Sequence, residues 1–165
     1  MKKFYIVVLF FVFSSSVFSD ETGLEDGDIS FGAGLGIPYG VLGANMNYKI
    51  NSTFDVTAGL GLGYGAGVRV HPLGSKPNFR ITAFYGTNVI LAVKKSTGDE
   101  ELERYQGFNL GIGYGKLSDG WDVDLVYAFA PQSAKDREKE LESQGYRNTG
   151  DKVENRVTLS FGYHW

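Results

Sequence analysis

Val157-Thr158-Leu159-Ser160-Phe161-Gly162-Tyr163-His164-Trp165 forms the last nine residues of the sequence. Val157, Leu159, Phe161, Tyr163 and Trp165 alternate with Thr158, Ser160, Gly162 and His164. A β-strand sends successive side chains to opposite faces. One face of this stretch is therefore wholly apolar or aromatic, and the other is small or polar.

The same period of two recurs back along the chain and predicts eight strands. The first covers residues 28–37, with Ile29, Phe31, Ala33 and Leu35 on one face and Ser30, Gly32, Gly34 and Gly36 on the other. The second covers 41–50 and the third 53–64. The fourth ends near residue 73, with Val68 and Val70 outward and Arg69 and His71 inward. The fifth covers 79–93, with Val89, Leu91 and Val93 on its apolar face. The sixth covers 107–116, the seventh starts at Trp121, and the eighth starts at Val153. Pro38-Tyr39-Gly40, Asn51-Ser52, Gly65-Ala66-Gly67 and Ser118-Asp119-Gly120 carry the residues of tight turns. Residues 94–106 and 131–152 are the long, charged connections. Within the second, Lys135–Glu138, Arg137–Glu140 and Lys139–Glu142 are spaced for a solvated helix that Gly145 would end.

The front of the chain has a different character. Lys2-Lys3, an apolar run over residues 4–13 and a small-residue stretch ending at Ser19 have the layout of a secretory leader. The apolar run is shorter than the roughly 20 residues a spanning helix requires. The expected organisation is a leader at 1–19 and one domain at 20–165. Removing the leader takes the formal charge from −3 to −5, because Lys2 and Lys3 go with it. No basic stripe favours nucleic acid. The absence of cysteine excludes a disulfide framework.

A leader, eight alternating strands and a closing strand that ends on an aromatic residue together resemble the small bacterial outer-membrane barrels of the OmpX, Ail and opacity-protein kind. The resemblance covers residues 20–165 and is architectural. It implies an all-β, eight-stranded antiparallel up-and-down transmembrane β-barrel in the outer membrane. It also implies that Leu159, Phe161, Tyr163 and Trp165 are read by the barrel-assembly machinery. The implied partners are outer-membrane lipid and lipopolysaccharide, the implied state is a monomer, and no cofactor is implied. Structural support and loop-mediated binding are the usual roles in that class.

The register agrees with a membrane barrel at the level of aromatics. Tyr48, Phe54, Phe79, Tyr114, Trp121, Tyr163 and Trp165 all point outward at strand ends on one side, as an interfacial girdle would. Tyr39, Tyr64, Phe108 and Phe129 sit near the opposite ends. A lipocalin-like soluble barrel or a soluble sandwich would reverse the faces. The solvent face would then be half glycine, with few side chains to keep it in water.

The inward face raises the question of chemistry. The period-two runs Gly59-x-Gly61-x-Gly63-x-Gly65 and Gly111-x-Gly113-x-Gly115 lack the spacing of a phosphate-binding loop. They read either as room for neighbours such as Phe84 in a narrow barrel or as a pocket for a small ligand. Lys49, Asp55, Arg69, His71, Arg80, Asp122, Asp124, Arg156 and His164 also point inward, with Arg69 and Arg156 higher than the rest. Charges in a narrow lumen must pair or stay hydrated. The set reads as a neutralising network or as an acid–base site. Ser160 faces the same way, but a nucleophile needs a histidine within hydrogen-bond reach. The His-x-Ser pair of the lipid A deacylases is absent. Two histidines without cysteine make no zinc pattern, and the acidic run Asp119–Asp124 lacks the later glutamate of a calcium loop. The functional expectation is a non-catalytic structural or surface-interaction barrel. A lipid A-modifying enzyme and a narrow small-solute channel are the alternatives.

Overall fold

The computed structural model describes residues 24–73, 79–94, 100–144 and 152–165. Eight strands follow one another around a closed antiparallel barrel. They are β1 (Ile29–Gly36), β2 (Val41–Lys49), β3 (Phe54–Gly61), β4 (Tyr64–Val70), β5 (Phe79–Lys94), β6 (Glu100–Gly115), β7 (Gly120–Ala128) and β8 (Arg156–His164). Each pairs with its sequence neighbour, and β8 pairs with β1 through Gly32–His164 to Leu35–Phe161. Closure leaves no unpaired edge within the wall. The leader expected at 1–19 lies outside the described residues.

The faces are as the alternation predicts. Along β7, Trp121, Val123, Leu125 and Tyr127 are exposed, while Asp122, Asp124, Val126 and Ala128 are buried. Ile29, Phe31, Leu42, Leu60, Val68, Ile81, Leu110, Leu159 and Phe161 extend the exposed apolar face around the wall. Trp121 stacks on Phe161 with ring centroids 4.8 Å apart and meets Tyr163 edge-on at 5.0 Å. The polar side chains are inside and the large apolar ones outside, the reverse of a water-soluble barrel.

Five expectations need correction, and each correction has a local cause. The β3–β4 turn lies at Leu62-Gly63 instead of 65–67, so Gly65 and Gly67 line the lumen beneath Phe84. A β-bulge at Asn88 shifts the register of β5, since Thr87 pairs Gln106 and Val89 pairs Tyr105. Both Thr87 and Asn88 are buried there, and Leu91 is turned inward instead of outward. The charged stretch 94–106 is largely strand: β5 and β6 are 16 residues each, against 7 to 9 for the others, and the pair projects beyond the wall as a hairpin. The 131–152 connection contains a docked helix, α1 (Gln132–Ser143), and β8 begins at Arg156 instead of Val153. Leu91, Ala134, Leu141 and Val153 form a buried cluster between α1 and the inward face of the hairpin. The expected terminator Gly145 lies outside the described residues.

The fifth correction concerns Pro38-Tyr39-Gly40. Tyr39 does not join an outer girdle. Residues Ile37–Tyr39 form a single 3-10 turn that dips into the lumen, with all three side chains buried. Proline suits the start of such a turn because its ring presets φ and it has no N–H to satisfy. Gly40, at φ 63°, closes the turn in the left-handed region and donates its N–H to the Ile37 carbonyl at 3.1 Å. The Tyr39 ring lies across Gly162 of β8, where a Cβ would come within 2.2 Å of Cζ. Glycine is needed there so that backbone and ring can touch.

Candidate functional site

The lower lumen is built around Arg80. β5, β6 and β7 place Arg80, Gly113 and Asp124 in register across three strands. The bare glycine between them lets the guanidinium reach across β6. Arg80 Nε donates to Asp124 Oδ1 at 3.1 Å, and Nη2 donates to Asp124 Oδ2 at 2.8 Å and to Asp122 Oδ2 at 2.5 Å. All three side chains are fully buried. A forked guanidinium is the cation best matched to two carboxylates.

Asp122 links this group to the inserted turn. Its Oδ1 accepts the Tyr39 hydroxyl and lies 3.3 Å from His164 Nε2. Tyr39 Oη is 2.9 Å from the same His164 nitrogen. His164 Nδ1 is 3.3 Å from Asn47 Nδ2, and Asn47 Oδ1 accepts from Arg69 Nη1. One chain of contacts thus runs from β5 through β7, the 3-10 turn, β8 and β2 to β4. Toward the Trp165 end, His71 Nε2 sits 2.6 Å from Asp55 Oδ2. Lys49 bonds the Leu24 carbonyl and approaches Asp26 at 3.8 Å.

Above the network lies an apolar layer of Ile37, Phe84, Val126 and Ala128. In register with Phe84 and Ala128, Asn109 donates through Nδ2 to Asn88 Oδ1 at 2.7 Å. Asn88 Nδ2 in turn donates to the Phe129 carbonyl at 2.8 Å. The lumen is therefore lined by polar clusters with an apolar cluster among them.

Of the nine charged residues expected inside, Arg69, Arg80, Asp122, Asp124 and His164 belong to the connected network. Asp55 and His71 form a separate pair below it, and Lys49 guards the lower mouth. Arg69, in register with Thr82 and so two residues up β5 from Arg80, joins the network through Asn47. Arg156 is exposed at the far end, where Nη2 donates to the Asn88 carbonyl at 2.9 Å. Ser160 is buried, and its hydroxyl has no hydrogen-bond partner. His164 is engaged by Tyr39, Asp122 and Asn47 instead, so Ser160 is not paired with it. Parity along the strands puts Asn47, Asn88 and Asn109 on the inward face without marking them as network members, and Tyr39 was not anticipated there at all. The signal for Tyr39 was available as a large apolar triple, Ile37-Pro38-Tyr39, held between Gly36 and Gly40.

A second charged group lies outside the wall, where α1 meets the hairpin. Arg137 bridges Glu103 at 2.9 Å and Glu140 at 2.8 Å. The Arg137 bond holds the Glu103 carboxyl below the usual carboxylate range. Burial and the neighbouring Glu103 carboxylate push Tyr105 up to about 12. Glu138 accepts the Val153 N–H at 3.1 Å and pins the far end of the connection to the helix.

Comparison of the chain with protein-family models, with curated proteins and with solved structures gives no match in any of the three.

Proposed function

We propose that this chain is a monomeric outer-membrane barrel with a structural and surface-presenting role and no catalytic chemistry. The observation that carries the reading is the inversion of polarity: a closed barrel with an apolar exterior and an ion-paired interior. In water that exterior would be a continuous sticky surface; in hydrocarbon it is the expected solvent face. The outward Trp121, Tyr114, Phe54, Tyr48 and Trp165, all exposed near one end, fit the periplasmic interface. The β5–β6 hairpin and α1 then project outside the cell. Arg137, Glu103 and the Leu91–Leu141 cluster hold them as one docked unit, a platform for contact with lipopolysaccharide or a partner. The closing strand, with Leu159, Phe161, Tyr163 and Trp165, is the stretch offered to the assembly machinery.

Cell-surface labelling tests the reading. Ser143→Cys, on the exposed end of α1, should react with a membrane-impermeant maleimide on whole cells, and Ser118→Cys, in the β6–β7 turn, should not. Recovery of the protein from soluble fractions, or labelling at Ser118 alone, would count against it. Lipid A of identical mass with and without the protein is expected; a changed acyl pattern would make it an enzyme.

A further inference from the structure

Among the described connections, the turn between β1 and β2 alone enters the lumen. It supplies both of the things that close the barrel. Tyr39 makes the polar contact, reaching Asp122 on β7 and His164 on β8 across the interior. Ile37 makes the apolar one, completing the layer with Phe84, Val126 and Ala128. Withdrawing this single segment would remove both.

The segment is also strained. Gly36, Gly40 and Val41 have φ of 109°, 63° and 76°. Glycine tolerates such values; a β-branched residue does not. Val41 is the one non-glycine residue with positive φ among the described residues. Strain of this kind persists only where surrounding contacts hold it, and it is found at switch regions. Here the holding contacts are those of Tyr39 and Ile37.

We infer that residues 36–41 form a spring-loaded plug, and that its outward displacement opens the barrel to water and small monovalent ions. The protein is then a gated pore that is closed at rest. The inference rests on the membrane-spanning reading given above. The opened lumen would present Arg69 and Arg80 opposite Asp122 and Asp124, so cations and anions would be weakly distinguished. An eight-stranded wall is too narrow for larger solutes.

Planar-bilayer recording in potassium chloride tests this, using the full chain. The native protein should show brief, infrequent openings. Tyr39→Phe keeps the ring but loses the hydroxyl contacts to a buried carboxylate, and should raise open probability about ten- to hundredfold. Adding Val41→Gly to that variant relieves the strain of the closed state and should bring open probability back down about fivefold. Ile37→Ala, which weakens the seal without touching the latch, should also raise it. A Tyr39→Phe protein that is inserted yet no more conductive than the native one overturns the plug. So does a Val41→Gly change that opens the pore further. Heat-modifiability and protease protection on the same vesicles separate the two layers of the argument. Native protein that does not insert removes the membrane reading, whereas inserted protein with silent variants removes the plug alone. If Tyr39→Phe fails to insert, Ile37→Ala decides the question by the same criterion.

Discussion

Replacing Arg80 by methionine removes the guanidinium on which the lower lumen is centred. Asp122 and Asp124, both fully buried, would be left facing each other without it. Breaking a buried ion pair from one side costs about 3–5 kcal/mol, because the remaining charge is uncompensated. The geometry also says how the loss divides. Asp124 takes two of the three Arg80 bonds, whereas Asp122 keeps Tyr39 and His164 when Arg80 is gone. Asp124→Leu added to Arg80→Met should therefore recover about 2 kcal/mol, in line with the near-neutral replacement of whole buried pairs by apolar groups. Asp122→Leu added instead should recover less than about 1 kcal/mol, because it strands the tyrosine hydroxyl and the histidine. Reversible urea unfolding in lipid vesicles measures this, and Trp121 and Trp165, the two tryptophans, report insertion. An Arg80→Met cost below about 1 kcal/mol, or equal recovery from the two second substitutions, would mean that the lumen charges are hydrated and screened and not paired.

Three further outcomes are expected. Gly113→Ala would place a Cβ 1.9 Å from Asp124 Oδ1 and 2.8 Å from Arg80 Nε, whereas the nearest contact at Gly111 is 3.1 Å. The first should cost at least about 2 kcal/mol in the same titration and the second clearly less; equal costs would show that the Arg80–Asp124 bridge does not lie over Gly113. Leu125→Arg, at mid-wall on the outward face, should cost about 2–4 kcal/mol in a bilayer, while inward Thr158→Ser should be near neutral, and a reversal of that order would contradict the register of β7 and β8. The Glu103 carboxyl is depressed in the folded protein, so its contribution to α1 docking is complete above the unfolded carboxylate range and lost as pH falls through its folded value. Amide-exchange protection of α1 should therefore drop as pH is taken from neutral to below the usual carboxylate range, and Glu103→Gln should flatten that dependence; unchanged protection in the native protein would separate the helix from this ion pair.

The closed barrel was legible because a wall that sends apolar side chains to one face and small or polar ones to the other writes itself at period two on every strand. Where the reading missed, the periodicity was silent for a physical reason. Leu60, Leu62 and Tyr64 alternate with Gly61, Gly63 and Gly65 straight through the β3–β4 hairpin. Glycine serves there both as lumen lining and as turn, so nothing marks the reversal. The bulge at Asn88 inserts one residue into β5 with no local signature, yet it turns Leu91 from the outer face to the inner. That single shift explains a second miss. Charge spacing alone made the 131–152 connection a solvated helix, because its docking face needs Leu91, which the unshifted register had assigned outward. Of the lumen charges, Arg80, Asp122 and Asp124 were placed on one wall by strand direction and parity. Their joining to His164 required Tyr39, and the apolar triple Ile37-Pro38-Tyr39 marks an inward turn without saying where the ring lands. The glycine at 162 records that choice indirectly. It lies between Asp122 and Gly34 in the register, at the one place on β8 where the tyrosine ring must rest on backbone. Gly162 is thus a mark left by a side chain arriving from outside the strand pair. Gly113 beside Asp124 carries the same mark for Arg80.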